Sequence, residues 1–194
     1  MSGGEGGSFV LVLHGHMPWV LNHGRWPHGD HWLFDAVLDV YLPLLEVVDE
    51  LADRGLDAGF SLGMTPVLLE QLRAPGAEAG LAAHLESRLL RARADRADPS
   101  LGGLAAWWEA RFCRQRDRLR ALDHDVVTPL ADHARAGRIE LLSSFAAHGF
   151  APLLLHDASI RAQLRTGLDV SERHLGFRPK GIWLPECAFR PAGS

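Results

Sequence analysis

Four short β-prone runs punctuate the chain, and each ends in a polar cluster. They are Phe9-Val10-Leu11-Val12-Leu13, Ala58-Gly59-Phe60-Ser61-Leu62, Arg138-Ile139-Glu140-Leu141-Leu142 and Ile182-Trp183-Leu184. The first is apolar throughout, and the last reads as a short buried strand. Runs of this kind suit strands covered on both faces. Helix-length segments separate them, in the order β-α-β-α-α-β-α-β. Such alternation predicts an α/β fold with parallel strands and right-handed crossovers. In a parallel sheet or barrel the carboxyl ends of all four strands share one rim, where active sites of such folds are assembled. The clusters expected there are His14 and His16, Gly63 to Thr65, His148, and Glu186.

The helices are marked by period and punctuation. Asp30 is a candidate N-cap for a long amphipathic helix from Trp32 to Arg54, with Pro43 expected to kink or divide it and Gly55 to end it. Gly63 reads as a turn. Thr65-Pro66 has N-cap and N1 chemistry for a short helix to about Leu72. Residues of about 75–136 are helical without a convincing strand and read as an insertion: Ala77 to Arg96, then Leu104 to Ala136 as one long helix or a pair. Trp107, Trp108, Phe112 and Leu119 form a row there whose spacing suits a core. Asp157 can cap a helix from Ala158, and Gly176 ends it. Residues 1–8 read as a flexible tail and residues 9–194 as one domain.

Composition excludes several classes of function. Net charge is -4, with 47% apolar and 23% charged residues, as in an ordinary globular domain. The arginines from Arg88 to Arg96 are interleaved with acids and read as a solvated face, so no nucleic-acid footprint stands out. No apolar run nears the roughly 20 residues that span a bilayer, and Met1 to Ser8 lacks the regions of a signal peptide. Cys113 and Cys187 form neither a disulfide framework nor a metal-ligand spacing, which fits a reducing cytoplasm. Eleven histidines and six tryptophans are many for 194 residues, and they cluster.

Those clusters carry the chemistry. His14-Gly15-His16-Met17-Pro18-Trp19 could hold zinc, hydrogen-bond a sugar or a carboxylate, or be structural. The loop from Asn22 to His31 contains Trp26, which could stack on a sugar face or roof the core. His148-Gly149 follows the third strand. In Trp183-Leu184-Pro185-Glu186-Cys187-Ala188-Phe189, proline stops the strand and Glu186 stands among apolar and aromatic neighbours. A carboxylate in such a place is paired, capped or used in chemistry.

These segments together resemble glycoside hydrolase family 57, and in particular its 1,4-α-glucan branching enzymes. Three motifs carry the resemblance: His14 to Trp19, Ser143 to Leu155 with Ala147-His148-Gly149-Phe150, and Trp183 to Phe189. The stretches Gly24 to Gly29 and Gly63 to Leu69 extend it, so that it runs from about Phe9 onward. It implies a partial (β/α)7 barrel and retaining transfer on α-1,4-glucans such as amylose and glycogen, in glycogen biosynthesis. Glu186 would be the nucleophile. His14, His16, Trp19, Trp26, His148 and Trp183 would bind substrate, and no metal or organic cofactor would be needed. The family's acid/base aspartate belongs to a later motif that no aspartate here matches. The chain is therefore expected to be an N-terminal part with an exposed sheet edge and little activity alone. Alternatives are another activity of the family (α-amylase or 4-α-glucanotransferase), a metal-dependent carbohydrate deacetylase with His14, His16 and His148 as ligands, or an inactive glucan-binding fragment.

Overall fold

The computed structural model describes residues 7–25 and 27–189. Of the tail expected over residues 1–8, residues 1–6 lie outside the described residues, as does Trp26. Three parallel strands form one sheet in the order β1 (Val12–Gly15), β2 (Ser61–Met64), β3 (Glu140–Leu142). The register sets His14 beside Gly63 and Gly63 beside Leu142. Beyond β3, Ser143 makes a single parallel bridge to Ile182. The α/β class, the parallel strands and the helical insertion therefore stand as expected.

Strand boundaries differ from the sequence reading. The apolar start of the first run has no strand beside it, because β2 begins only at Ser61. Phe9 and Val10 are consequently 87% and 75% exposed, not covered on both faces. Gly63, expected to turn the chain, is instead a ladder residue within β2. Ile182 to Leu184 is not a buried strand: among the described residues it makes a single bridge, from Ile182 to Ser143, and Ile182 is 39% exposed.

The long first helix is divided, as Pro43 predicts. Helix α1 (Asp30–Ala36) passes through a π-helical turn, Val37–Tyr41, into α2 (Leu42–Asp53), and the Leu42 N–H donates to the Val37 carbonyl. Pro43 has no N–H to return to Asp39, so the turn widens there. Asp30 is the first helical residue, with Gly29 as N-cap, and its carboxylate accepts from the Asn22 N–H at 2.8 Å. Helix α3 (Pro66–Leu72) starts after Thr65. Helices α4 (Ala77–Asp95), α5 (Gly102–Ala121) and α6 (Val127–Arg135) fall between β2 and β3, and α4 packs along α5. Helix α7 (Asp157–Leu175) follows β3 and ends at Gly176, whose φ of +74° is the left-handed C-cap conformation.

The core lies between the sheet and these helices. Leu38, Leu42 and Leu45 meet Leu62 and Met64 of β2, Leu68 and Leu69 of α3, and Leu85 and Leu89 of α4, all essentially buried. Of the aromatic row on α5, Phe112 and Leu119 are buried and Trp108 partly so, while Trp107 is 52% exposed. Its ring and that of Trp108 lie under the Arg111 guanidinium instead.

Candidate active site

The site is assembled at the carboxyl end of the sheet. His14 is in β1, so its backbone is fixed by the ladder to Gly63. Gly15 follows, and a Cβ there would stand 2.9 Å from the Tyr41 hydroxyl and 3.1 Å from the Gly63 carbonyl. Glycine is therefore the residue that lets the π-helical turn bring Tyr41 up against β1. Burial pushes the Tyr41 hydroxyl up to about 12, so it stays protonated. His16 emerges immediately after the strand.

Four groups converge. The His14 and His148 Nε2 atoms are 3.0 Å apart. The His16 ring lies flat on the His148 ring, with centroids 3.6 Å apart and planes inclined by 10°. His148 Nδ1 is 3.8 Å from Glu186 Oε1. The His148 imidazole is 7% exposed and the Glu186 side chain 69% exposed. The carboxylate thus stands exposed to water, with a nearly buried imidazole beside it. This corrects the expectation that Glu186 sits among apolar neighbours: Cys187 is exposed and Phe189 is 74% exposed. A 3-10 turn at Pro185–Cys187 carries Glu186 with φ 54° and ψ 26°.

Backbone conformation sets apart these residues together with Asn22, Asp123 and His124, which lie in turns elsewhere. His148 (φ 54°), Glu186 (φ 54°) and Cys187 (φ 56°) are left-handed without being glycine. Each such residue costs about 1–2 kcal/mol, and conformations of this kind concentrate at functional sites. Two of these three are the imidazole and carboxylate that face each other.

Electrostatics favour neutral imidazoles. Burial and the neighbouring imidazoles of His148 and His14 push His16 down to about 4, against a partial upward pull from Glu186. His148 is lowered by burial and by His14, and His14 by burial, each again opposed by Glu186. A neutral His148 that turns Nδ1–H to the carboxylate leaves Nε2 to accept from His14 Nε2–H. The arrangement offers donors and acceptors for vicinal hydroxyls beside one anionic oxygen. Imidazole faces, not converging nitrogens, form the His16–His148 contact. Among the described residues no three His, Cys, Asp or Glu side chains are grouped as metal ligands.

The other expected site residues lie less centrally. Trp19 is 47% exposed, and its indole N–H donates to the Leu21 carbonyl at 3.2 Å. Trp183 is partly buried behind the rim. Its N–H donates to the Ser143 carbonyl at 2.9 Å, and its own carbonyl accepts from the Ser144 hydroxyl at 2.8 Å. The sequence reading had Thr65 on the rim only as part of the Gly63 to Thr65 cluster, without its histidine partner, and missed Gln71. Thr65 Oγ1 is 3.2 Å from His16 Nδ1. The Gln71 amide reaches the backbone of Met17, Pro18 and Val20. A buried glutamine one and a half turns into a short helix was the available signal, since such an amide must find partners.

The sequence matches the profile of Glycosyl hydrolase family 57 over residues 10–192. It is 38% identical over 188 residues to a 1,4-α-glucan branching enzyme of Thermococcus kodakarensis, covering 96% of this chain and 28% of that protein. It is 40% identical to a probable 1,4-α-glucan branching enzyme of Mycobacterium tuberculosis, covering 95% of this chain and 38% of the relative. The fold superposes with a TM-score of 0.90 on a crystal structure of a branching enzyme from Thermococcus kodakarensis, at 37% identity over 95% of this chain and 34% of the other. The chain thus spans about a third of the length of the curated relatives it matches.

Proposed function

Because the chain belongs to Glycosyl hydrolase family 57, we propose that it carries the nucleophile-bearing part of a retaining 1,4-α-glucan branching enzyme. Glu186 attacks the anomeric carbon of an α-1,4-linked glucose and forms a glycosyl-enzyme. A glucan 6-hydroxyl, instead of water, then receives the chain. His14, His16 and His148 hydrogen-bond the hydroxyls of the ring being transferred, and Trp19, Trp26 and Trp183 extend that contact. The observation that carries this reading is the approach of Glu186 to His148 at 3.8 Å, on the stacked His16–His148 pair. The relatives' names support the branching assignment over hydrolysis. The setting this implies is glycogen synthesis in the cytoplasm.

Retention requires a second carboxyl group about 5–5.5 Å across the scissile bond, to protonate the leaving oxygen and later deprotonate the acceptor. None of the aspartates in residues 1–194 matches the family's acid/base motif. The polypeptide alone is then expected to introduce no α-1,6 branches into amylose, as read by debranching and chain-length analysis.

The nucleophile can be tested without an acid partner. A glycosyl fluoride loses fluoride without prior protonation: the C–F pair leaves as fluoride while a Glu186 oxygen bonds to the anomeric carbon. Incubation with a 5-fluoro-α-glucosyl fluoride should add one fluoroglucosyl unit to the peptide containing Glu186, seen by mass spectrometry. The Glu186→Gln variant should gain nothing. Labelling at another residue, or equal labelling of the variant, overturns the assignment.

A further inference from the structure

Helix α3 begins on Thr65, whose backbone carbonyl accepts from the Leu68 and Leu69 N–H groups. A threonine in that position ordinarily turns its hydroxyl onto the first helical turn. This one does not: no side-chain cap bond is made, and the hydroxyl lies 3.2 Å from His16 Nδ1. Thr65 is fully buried. Among the described residues its hydroxyl has no other partner. If His16 Nδ1–H were the donor, the threonine proton would be buried without an acceptor, which costs about 1–3 kcal/mol. Donation from the hydroxyl into Nδ1 pairs that buried proton.

We infer that Thr65 is a positioning residue that holds His16 in its Nε2–H tautomer, with the ring flat on His148. The same helix secures the backbone that follows. Gln71 is fully buried. Its carbonyl accepts from the Val20 N–H at 2.7 Å, and its amide group donates to the Pro18 carbonyl at 3.0 Å and the Val67 carbonyl at 3.2 Å. Ring and loop are therefore both fixed from α3, one by each residue. His16 then offers Nε2–H as a hydrogen-bond donor of fixed direction. Under the glucan reading above, on which only this last consequence rests, the donor serves a sugar hydroxyl oxygen.

Nitrogen-15 imidazole spectra of the 194-residue chain test the inference directly. The wild type should show His16 with a protonated Nε2 and a bare Nδ1 at neutral pH. Thr65→Ser should keep that pattern. Thr65→Val, nearly isosteric, and Thr65→Ala should both give a mixed or reversed tautomer, with backbone amide spectra otherwise retained. A wild-type His16 protonated on Nδ1 overturns the inference without any variant, as does an unchanged tautomer in either folded hydroxyl-less variant. Maltooligosaccharide titration reads the consequence, with Thr65→Val binding roughly three- to tenfold more weakly than Thr65→Ser. Absence of binding by the wild type counts against the glucan reading and leaves the tautomer result to judge Thr65.

Discussion

Burial and one exposed carboxylate act in opposite directions on the protonation of the site, residue by residue. Glu186 pulls the affinities of His14, His16 and His148 upward, while burial pulls all three down more strongly. Glu186→Gln removes the opposing pull, so all three imidazoles should titrate at lower pH than in the wild type, followed by their carbon-bound proton shifts. His16 also couples the site to stability. An unfolded histidine takes up its proton near 6.5, whereas His16 in the fold does so at about 4. Between those values the unfolded chain binds more protons, and acidification therefore favours unfolding. The expected result is a melting temperature that falls between pH 6.5 and 4 more steeply for the wild type than for His16→Gln. Equal slopes would show that His16 is protonated as readily in the fold as out of it. The sequence made the histidines conspicuous as a pair around a glycine at a strand end, but left zinc, sugar and structural roles equally open to them. It could not show that His16 stacks on His148, since their rings meet from loops more than a hundred positions apart. Nor could it show the left-handed backbone at Glu186, which no glycine announces.

Among the elements, helices were more legible than strands. Pro66 and Gly176 mark real ends because a fixed φ at the first helical position and a left-handed residue past the last are local chemistry. Strand ends are set by whichever neighbour is present, so β1 and β2 both lie closer to the rim than their apolar runs suggested. Helix α7 shows how an element can hold a loop without touching substrate. Gly167 carries no Cβ because one would stand 2.2 Å from the Ser144 carbonyl oxygen and 3.2 Å from the Ala146 amide. The Ser143 hydroxyl donates to the Gly167 carbonyl at 3.2 Å and pairs with the Ser171 hydroxyl at 2.7 Å. That close approach seats the segment leading to His148. Alanine is the better helix former by about 0.5–1 kcal/mol. Overpacking against backbone costs about 1–3 kcal/mol, and backbone has little room to yield. Gly167→Ala should therefore destabilise the chain on balance, by about 1–2 kcal/mol in urea unfolding, and should slow the Glu186 labelling as well. A neutral or stabilising effect would mean that α7 can withdraw without disturbing the loop.

For the molecule as a whole, the sheet is secured unevenly, and the uneven part carries Glu186. Strand β2 is paired on both sides, whereas the Glu186 segment is tied by the bridge between Ser143 and Ile182. Large apolar side chains crowd the surface on that side of the sequence: Leu153 is 75% exposed, Leu155 89% and Phe189 74%. Local opening is governed by how many such ties must break together. The Leu62 amide, at the centre of the sheet, should exchange with solvent only through global unfolding. The Trp183 amide, bonded to the Ser143 carbonyl at 2.9 Å, should exchange by local release, faster by orders of magnitude. A maltooligosaccharide that spans the imidazoles and Glu186 binds only the closed arrangement, so it should slow Trp183 exchange in proportion to its saturation while leaving the ratio at the sheet edge of β1 unchanged. Hydrogen exchange followed by NMR separates these cases. If Trp183 exchanges as slowly as Leu62 without ligand, the late segment is held by the 194 residues themselves and Glu186 is already fixed for attack. If it exchanges fast and ligand leaves it so, the glutamate is not part of the surface that the sugar touches.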